Sequence, residues 1–99
     1  MAHDNTFYLR EFIGLRASVR SSRNPNLLNK SGIIVDETKK TLTISNGTKN
    51  LVIPKEICSF EMLFGERKIT VAGRNILFRP EDRIKEHRKI ERLIRKGGN

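Results

Sequence analysis

The sequence predicts a mainly β domain, a small antiparallel barrel of about six short strands with a helix at each end. Short apolar segments separated by turn signals run through the middle of the chain, over residues 15–78. An apolar segment at residues 6–13 and a charged amphipathic one at residues 80–96 follow the helical period instead. The chain has 99 residues, which is too few for two independent cores, so we expect a single domain over 1–99.

The first helix is expected over residues 6–13, with Asn5 or Thr6 as its cap and Gly14 in the left-handed conformation that often ends a helix. Its apolar side chains cover more of the surface than one core-facing stripe requires. It is therefore a candidate surface for a protein partner, and an equally good interpretation is that it only closes the core. The candidate contact residues are Phe7, Tyr8, Leu9, Phe12 and Ile13.

The first strand is predicted over residues 15–21, where polarity alternates as in a half-buried strand. Arg16 and Arg20 then share the outer face, because side chains two or four positions apart point to the same side. Prolines and asparagines make residues 22–31 a loop.

The next segment, residues 32–44, predicts a hairpin. We expect Val35, Leu42 and Ile44 to share its buried face. The five polar residues 36–40 are expected to form a solvated turn that exposes two adjacent lysines, Lys39 and Lys40.

The remaining strands are expected at residues 49–53, 57–64, 67–72 and 76–78, with an Asn-Gly turn before the first of them. Closing such a sheet into a barrel would remove exposed strand edges. Cys58 is expected to be a small buried core residue, since a lone cysteine cannot form an intrachain disulfide.

The second helix is expected to begin at Pro80, with Glu81 and Asp82 in its first turn, where acids complement the helix dipole. Its many basic residues form either a solvated face or a surface that reads RNA.

The charge balance favours a polyanionic partner, with nucleic acid as the leading class. Lysine and arginine number 20 against 11 aspartates and glutamates, a net charge of +9. No apolar run approaches the span of about 20 residues that a bilayer requires, and no secretory signal opens the chain, so we expect a cytoplasmic protein. His3 and His87 give no metal-ligand spacing, and no arrangement typical of a catalytic site is visible.

Four strings of residues resemble the archaeal ribonuclease P protein component 1 family. They are Phe-Ile-Gly-Leu at 12–15, Gly-Ile-Ile-Val-Asp-Glu-Thr at 32–38, Thr-Leu-Thr-Ile at 41–44 and Arg-Pro-Glu-Asp-Arg-Ile at 79–84. Each string alone is weak, but their order and spacing cover most of the chain.

The resemblance implies a strongly twisted, Sm-like barrel and an RNA-binding subunit of ribonuclease P, which removes the 5′ leader of precursor tRNA. It also implies that the RNA subunit is catalytic and uses magnesium, while the isolated chain is inactive and binds no cofactor or metal. The implied partners are ribonuclease P RNA, precursor tRNA, a small zinc-binding protein subunit and further protein subunits.

Basic residues with expected exposure are the candidate RNA contacts: Arg16, Arg20, Lys39, Lys40, Lys49, Lys55, Lys68, Arg74, Arg79 and Arg83. Arg79 and Arg83 have an alternative, which is to brace the helix against the barrel by pairing with Asp36, Glu37 or Asp82. Two other functions stay open, a general Sm-like RNA-binding or RNA-chaperone barrel that forms a ring, and a ribosome-associated RNA-binding protein.

Overall fold

Six antiparallel strands form a single sheet in a computed structural model that describes residues 11–85, with side chains as far as Arg83. The sheet order is β4-β3-β2-β1-β5-β6. Two short 3-10 helices, Pro25–Leu27 and Gly73–Ile76, and one α-helix, α1 (Pro80–Lys85), are the only helices in this part of the chain. The strands are β1 (Arg16–Ser22), β2 (Ser31–Glu37), β3 (Thr41–Ser45), β4 (Asn50–Pro54), β5 (Cys58–Phe64) and β6 (Arg67–Ala72). The predicted mainly β class is confirmed.

The core lies on one face of this sheet, because alternate residues of the strands point to it. Leu15, Ala17 and Val19 are buried as predicted, and Cys58 is buried with them. The other core residues are Phe12, Leu27, Ile34, Leu42, Ile44, Ile53, Phe60, Met62, Val71 and Ile76.

The two ends of the sheet, β4 and β6, do not pair with each other among the described strands. The segments that follow these two strands nevertheless meet. A Cβ atom on Gly73, just after β6, would collide with the carbonyl oxygen of Lys55, just after β4. Only glycine allows this close approach of two backbones. The core is therefore closed here by packed turns instead of a backbone ladder.

The inner face of β2 differs from the prediction. Val35 is 41% exposed, and Ile34 is fully buried in its place. Ile34 pairs with Ile44 while Asp36 pairs with Thr43, so Val35 is an extra, bulged residue. A bulge resets the alternation by one position, and Glu37 therefore faces inward. The expected burial of Val35 was wrong, because alternation alone cannot reveal a bulge. The expected exposure of Glu37 was wrong because residues 36–40 were assigned to a turn, whereas β2 continues to Glu37.

Two further expectations need correction. Residues 76–78 do not form a strand, because the chain turns through a 3-10 helix directly after its close approach to Lys55. Residues 11–13 are not helical, although Gly14 has the predicted left-handed conformation, with φ of 98°. The remainder of the predicted N-terminal helix and residues 86–96 of the predicted C-terminal helix lie outside the described residues.

Candidate functional site

A cluster of three charged side chains is buried at one end of the sheet. Glu37 is the last residue of β2, Lys55 follows β4, and Arg83 lies in α1. All three side chains have no exposed surface. Glu37 Oε2 accepts a hydrogen bond from Lys55 Nζ at 2.9 Å and another from the Arg83 guanidinium. One carboxylate oxygen therefore faces two cations.

Lys55 also joins three carbonyl groups from separate parts of the chain. Its ammonium donates to the carbonyl oxygens of Thr38 at 2.7 Å, Ile76 at 2.9 Å and Phe78 at 3.1 Å. An ammonium has three hydrogens and these bonds, with that to Glu37, make four, so at least one hydrogen is shared. The Lys55 backbone N–H donates to the Lys40 carbonyl at 2.8 Å. One residue thus holds the β2–β3 turn against the segment that leads into α1.

Arg83 attaches α1 to the chain that precedes β1. Its guanidinium lies over the Phe12 ring, 3.6 Å from the ring centre. An arginine over an aromatic face is attracted by the ring quadrupole, and the attraction is stronger when water is excluded. Phe12 has no exposed surface, so this contact is a dry one.

The environment of this cluster disfavours a proton on Lys55. Burial lowers the pKa of Lys55 from its ordinary value of 10.5, while the hydrogen bond and charge of Glu37 oppose that shift. The positive charge of Arg83 adds to the lowering. With all three groups charged, the cluster holds one cation more than its single carboxylate can neutralise.

Three of the candidate contacts therefore do not lie on a free surface. Lys55 was expected on an exposed edge, and this is wrong because its ammonium is enclosed by Glu37 and three carbonyls. Arg83 shows the bracing arrangement, with Glu37 as its partner. Phe12 was a candidate contact for a protein partner, but it packs in the core beneath Arg83, which fits the alternative that this segment closes the core. Ile13 is 38% exposed, and Phe7, Tyr8 and Leu9 lie outside the described residues.

All the other candidate RNA contacts are exposed, and they are spread over several faces. Arg16 stands in one cross-strand row with Leu63 and Lys68. Lys39 and Lys40 occupy the β2–β3 turn. The complete exposed set is Arg16, Arg20, Lys39, Lys40, Lys49, Lys68, Arg74 and Arg79.

The β2–β3 turn is closed by hydrogen bonds between its two threonines. The Thr38 and Thr41 hydroxyls lie 2.6 Å apart, and the Thr41 N–H donates to Thr38 Oγ1 at 3.1 Å. The backbone of the two lysines between them is therefore fixed at both ends.

Two shallow grooves contain basic residues that the sequence did not single out. Lys30 lines a groove of about 190 Å³ with Lys49. Arg23 lines another of about 200 Å³ with Arg74, and the same groove includes Glu56. Arg23 and Lys30 lie in a loop, and loops have no periodicity from which exposure can be predicted. The one available signal for Arg23 was its position directly after β1, the strand that carries Arg16 and Arg20.

Within residues 11–85, no group of three or more histidine, cysteine, aspartate or glutamate side chains is arranged to hold a metal ion. The same part of the chain includes no helix long and apolar enough to span a bilayer.

Comparisons with known proteins show which family the chain resembles. Residues 5–86 match the family model described as ribonuclease P/MRP, subunit p29. A ribonuclease P protein component 1 from Thermoplasma acidophilum is 39% identical over 89 residues, which cover 90% of this chain and 98% of that protein. The relative of the same name from Thermococcus sibiricus is 43% identical over 81 residues, 82% of this chain. The chain spans only 66% of that relative's length, and 60% of the Thermococcus onnurineus protein.

A solved structure shows the same fold. It is that of Mth11, a homologue of the human ribonuclease P protein Rpp29, with a TM-score of 0.58 and 32% identity. The likeness covers 76% of this chain and 99% of that one. Since the family model matches far more than half of the sequence, the chain belongs to the ribonuclease P/MRP subunit p29 family.

Proposed function

We propose that this chain is an RNA-binding protein subunit of ribonuclease P, which removes the 5′ leader of precursor tRNA in the cytoplasm. The observation that carries the proposal is the match of residues 5–86 to the p29 family, with relatives named ribonuclease P protein component 1. The net charge of +9 and the eight exposed basic candidates support RNA as its partner.

In this proposal the chain is not catalytic and binds no cofactor, and the RNA subunit supplies the active site with its magnesium. Two adjacent acids, Asp36 and Glu37, would be the obvious pair for acid–base chemistry. Asp36 is exposed on the outer face of β2, whereas Glu37 is buried and engaged by Lys55 and Arg83. They do not converge on one point, as a catalytic pair must.

Exposed lysines and arginines act by neutralising RNA phosphates. Each contact releases condensed counterions, which gives binding its salt dependence. Neutralising the phosphates of a folded RNA replaces part of the magnesium that its structure and substrate binding would otherwise need. The protein therefore lowers the magnesium requirement of the RNA without taking part in the chemical step.

The small zinc-binding subunit is the proposed protein partner, and Ile13 is the proposed contact, since it is the exposed one of the two candidates that the structure describes. Ile13 is 38% exposed, and the N–H of the next residue, Gly14, donates to the Ile34 carbonyl at 2.8 Å. Exposed aliphatic side chains of β2, Ile33 and Val35, flank Ile34 in sequence. An Ile13→Glu variant should lose co-elution with the zinc-binding subunit, while Leu28→Glu, at another exposed aliphatic residue, should keep it.

The test of the proposed function is cleavage of precursor tRNA by the cognate ribonuclease P RNA at limiting magnesium. The other protein subunits are held constant, and this chain is added or omitted. Addition should raise the cleavage rate and move the magnesium dependence to lower concentration. Absence of any gain with folded protein and its partner present would contradict the proposal.

A ring-forming RNA-binding barrel is the second candidate, because β4 and β6 end the sheet without pairing to each other among the described strands. Free strand edges can pair with further copies. Such a protein should form a stable ring on its own, whereas a ribonuclease P subunit should be a monomer that joins its partner one to one. Light scattering of the purified chain separates the two.

A further inference from the structure

Two segments that are distant in sequence carry exposed cations next to residues that Lys55 binds. Lys39 directly follows Thr38, and Arg79 directly follows Phe78. The carbonyls of Thr38 and Phe78 both accept hydrogen bonds from the same atom, Lys55 Nζ, at 2.7 and 3.1 Å. The backbones that carry Lys39 and Arg79 are therefore held side by side.

Lys40 belongs to the same group. Its carbonyl accepts a hydrogen bond from the Lys55 backbone N–H at 2.8 Å. The side chains of Lys39, Lys40 and Arg79 are all exposed. Three exposed cations thus belong to backbone segments that hydrogen-bond to one buried lysine.

We propose that Lys39, Lys40 and Arg79 form one binding site for the backbone phosphates of RNA, which Lys55 assembles as a positioning residue. The inference rests on the proposed function and deepens it, since it selects three of the eight exposed basic candidates as a unit. The partner is the RNA backbone and not a base, because lysine and arginine most often contact phosphate oxygens and the deep, narrow major groove of an RNA helix keeps side chains from its bases.

The chemistry of the site suits phosphate. Lysine presents a compact charge with three donors, and arginine presents a planar fork that can hold two phosphate oxygens. The turn bearing the two lysines is closed by the Thr38 and Thr41 hydroxyls, so its backbone loses little freedom on binding.

Acidic residues in the neighbouring segments weaken the attraction of the three cations for phosphate. Glu56 and Glu81 are exposed, and Asp82 is half-buried in the first turn of α1. Asp36 points to the opposite face of β2 from Glu37, in the row of Thr43 and Val52. When all three groups are charged, the buried cluster adds one positive charge, since the single carboxylate of Glu37 is shared by Lys55 and Arg83. Because these acids repel phosphate, we expect the site to bind RNA at one place instead of along a broad basic face.

Directed cleavage of RNA tests whether the three residues form one site. The probe is iron-EDTA tethered to Lys39→Cys or Arg79→Cys in a Cys58→Ala background, bound to the cognate ribonuclease P RNA. The two tethers should cut the same stretch of nucleotides. Lys68→Cys is the control, since it lies at the opposite end of β6 from Gly73 and should cut elsewhere. Separate cleavage sites for positions 39 and 79 would overturn the proposal.

Affinity tests the role of Lys55. Replacing Lys39, Lys40 and Arg79 by alanine should weaken RNA binding and reduce the salt slope by about one unit for each lost contact. In a Lys55→Met background, which removes the shared ammonium, the same three replacements should cost clearly less affinity. Equal losses of affinity in both backgrounds would show that Lys55 does not position the three residues. If Lys55→Met does not fold, the directed cleavage test still decides whether they form one site.

The two proposals fail in different ways. If the natural chain stimulates cleavage of precursor tRNA while the triple alanine variant keeps full RNA affinity, the site is wrong and the subunit assignment stands. If the natural chain gives no stimulation, the subunit assignment fails, whatever the tethered probes cut.

Discussion

Two neighbouring turns carry lysines in opposite environments. Lys40, in the turn after β2, is exposed, while Lys55, in the turn after β4, has no exposed surface. Their backbones are joined by a hydrogen bond of 2.8 Å, so their location in the fold does not explain why one is buried and the other exposed. Lys55 meets a carboxylate and three carbonyl oxygens, and these acceptors offset the loss of water that would otherwise exclude a buried ammonium. Available partners, and not residue type, decide which lysine is buried.

The largest expected effect comes from removing the carboxylate that the buried cations share. Glu37→Ala leaves Lys55 and Arg83 without it, and breaking a buried pair in this way costs about 3–5 kcal/mol of unfolding free energy. Urea denaturation followed by circular dichroism measures the loss.

Asp36→Ala is the matched control for Glu37→Ala. It removes the adjacent carboxylate, which is exposed on the outer face, and should change the stability by no more than about 0.5 kcal/mol. If Glu37→Ala lost as little stability as Asp36→Ala, the cluster would add nothing to the free energy of unfolding.

Exchanging lysine for methionine at position 55 and at position 39 compares the roles of a buried and an exposed lysine. Lys55→Met keeps an unbranched side chain of similar volume but leaves the Thr38, Ile76 and Phe78 carbonyls without their donor, for a loss of about 1–3 kcal/mol. Lys39→Met should leave stability unchanged and weaken RNA binding instead. Thermal unfolding and RNA titration of both variants give the two readouts, and a stability loss at Lys39 would contradict the division of roles.

The contact between Arg83 and Phe12 is expected to be smaller. Phe12→Leu removes the ring face beneath the guanidinium, while Phe60→Leu removes a buried ring from the core of β5. The Phe12 variant should lose about 0.5–2 kcal/mol more than the Phe60 variant, the range of a cation–π contact. Urea denaturation compares them, and identical losses would assign Phe12 to packing alone.

The smallest expected effect is on the pH dependence of stability. Burial lowers the pKa of Lys55, so just below pH 10.5 the folded protein holds fewer protons on this amine than the unfolded chain does. The contribution of Lys55 to stability therefore rises with pH through this window and is complete above 10.5. The unfolding free energy of the natural chain, minus that of Lys55→Met, should increase from neutral pH toward 10.5. A flat or falling difference would argue against the lowered pKa.

Local patterns predicted the parts of the fold that depend on local chemistry. The alternation of residues 15–21 correctly predicted which side chains of β1 are buried, and Pro80 marks the start of α1. The bulge at Val35 was not predictable, because Ile34 and Val35 are equally apolar and either could face inward. That single inserted residue turned Glu37 into the core and created the charged cluster.

The amino-acid sequence predicted the mainly β class and showed the large surplus of positive charge, and its motifs indicated the family. Contacts between distant parts of the chain set which cations are buried and which stay exposed. Glu37 lies 18 residues from Lys55 and 46 from Arg83 along the chain, and no local pattern links them. A buried charge requires partners that offset the loss of water, and folding brings those partners together from three separate elements.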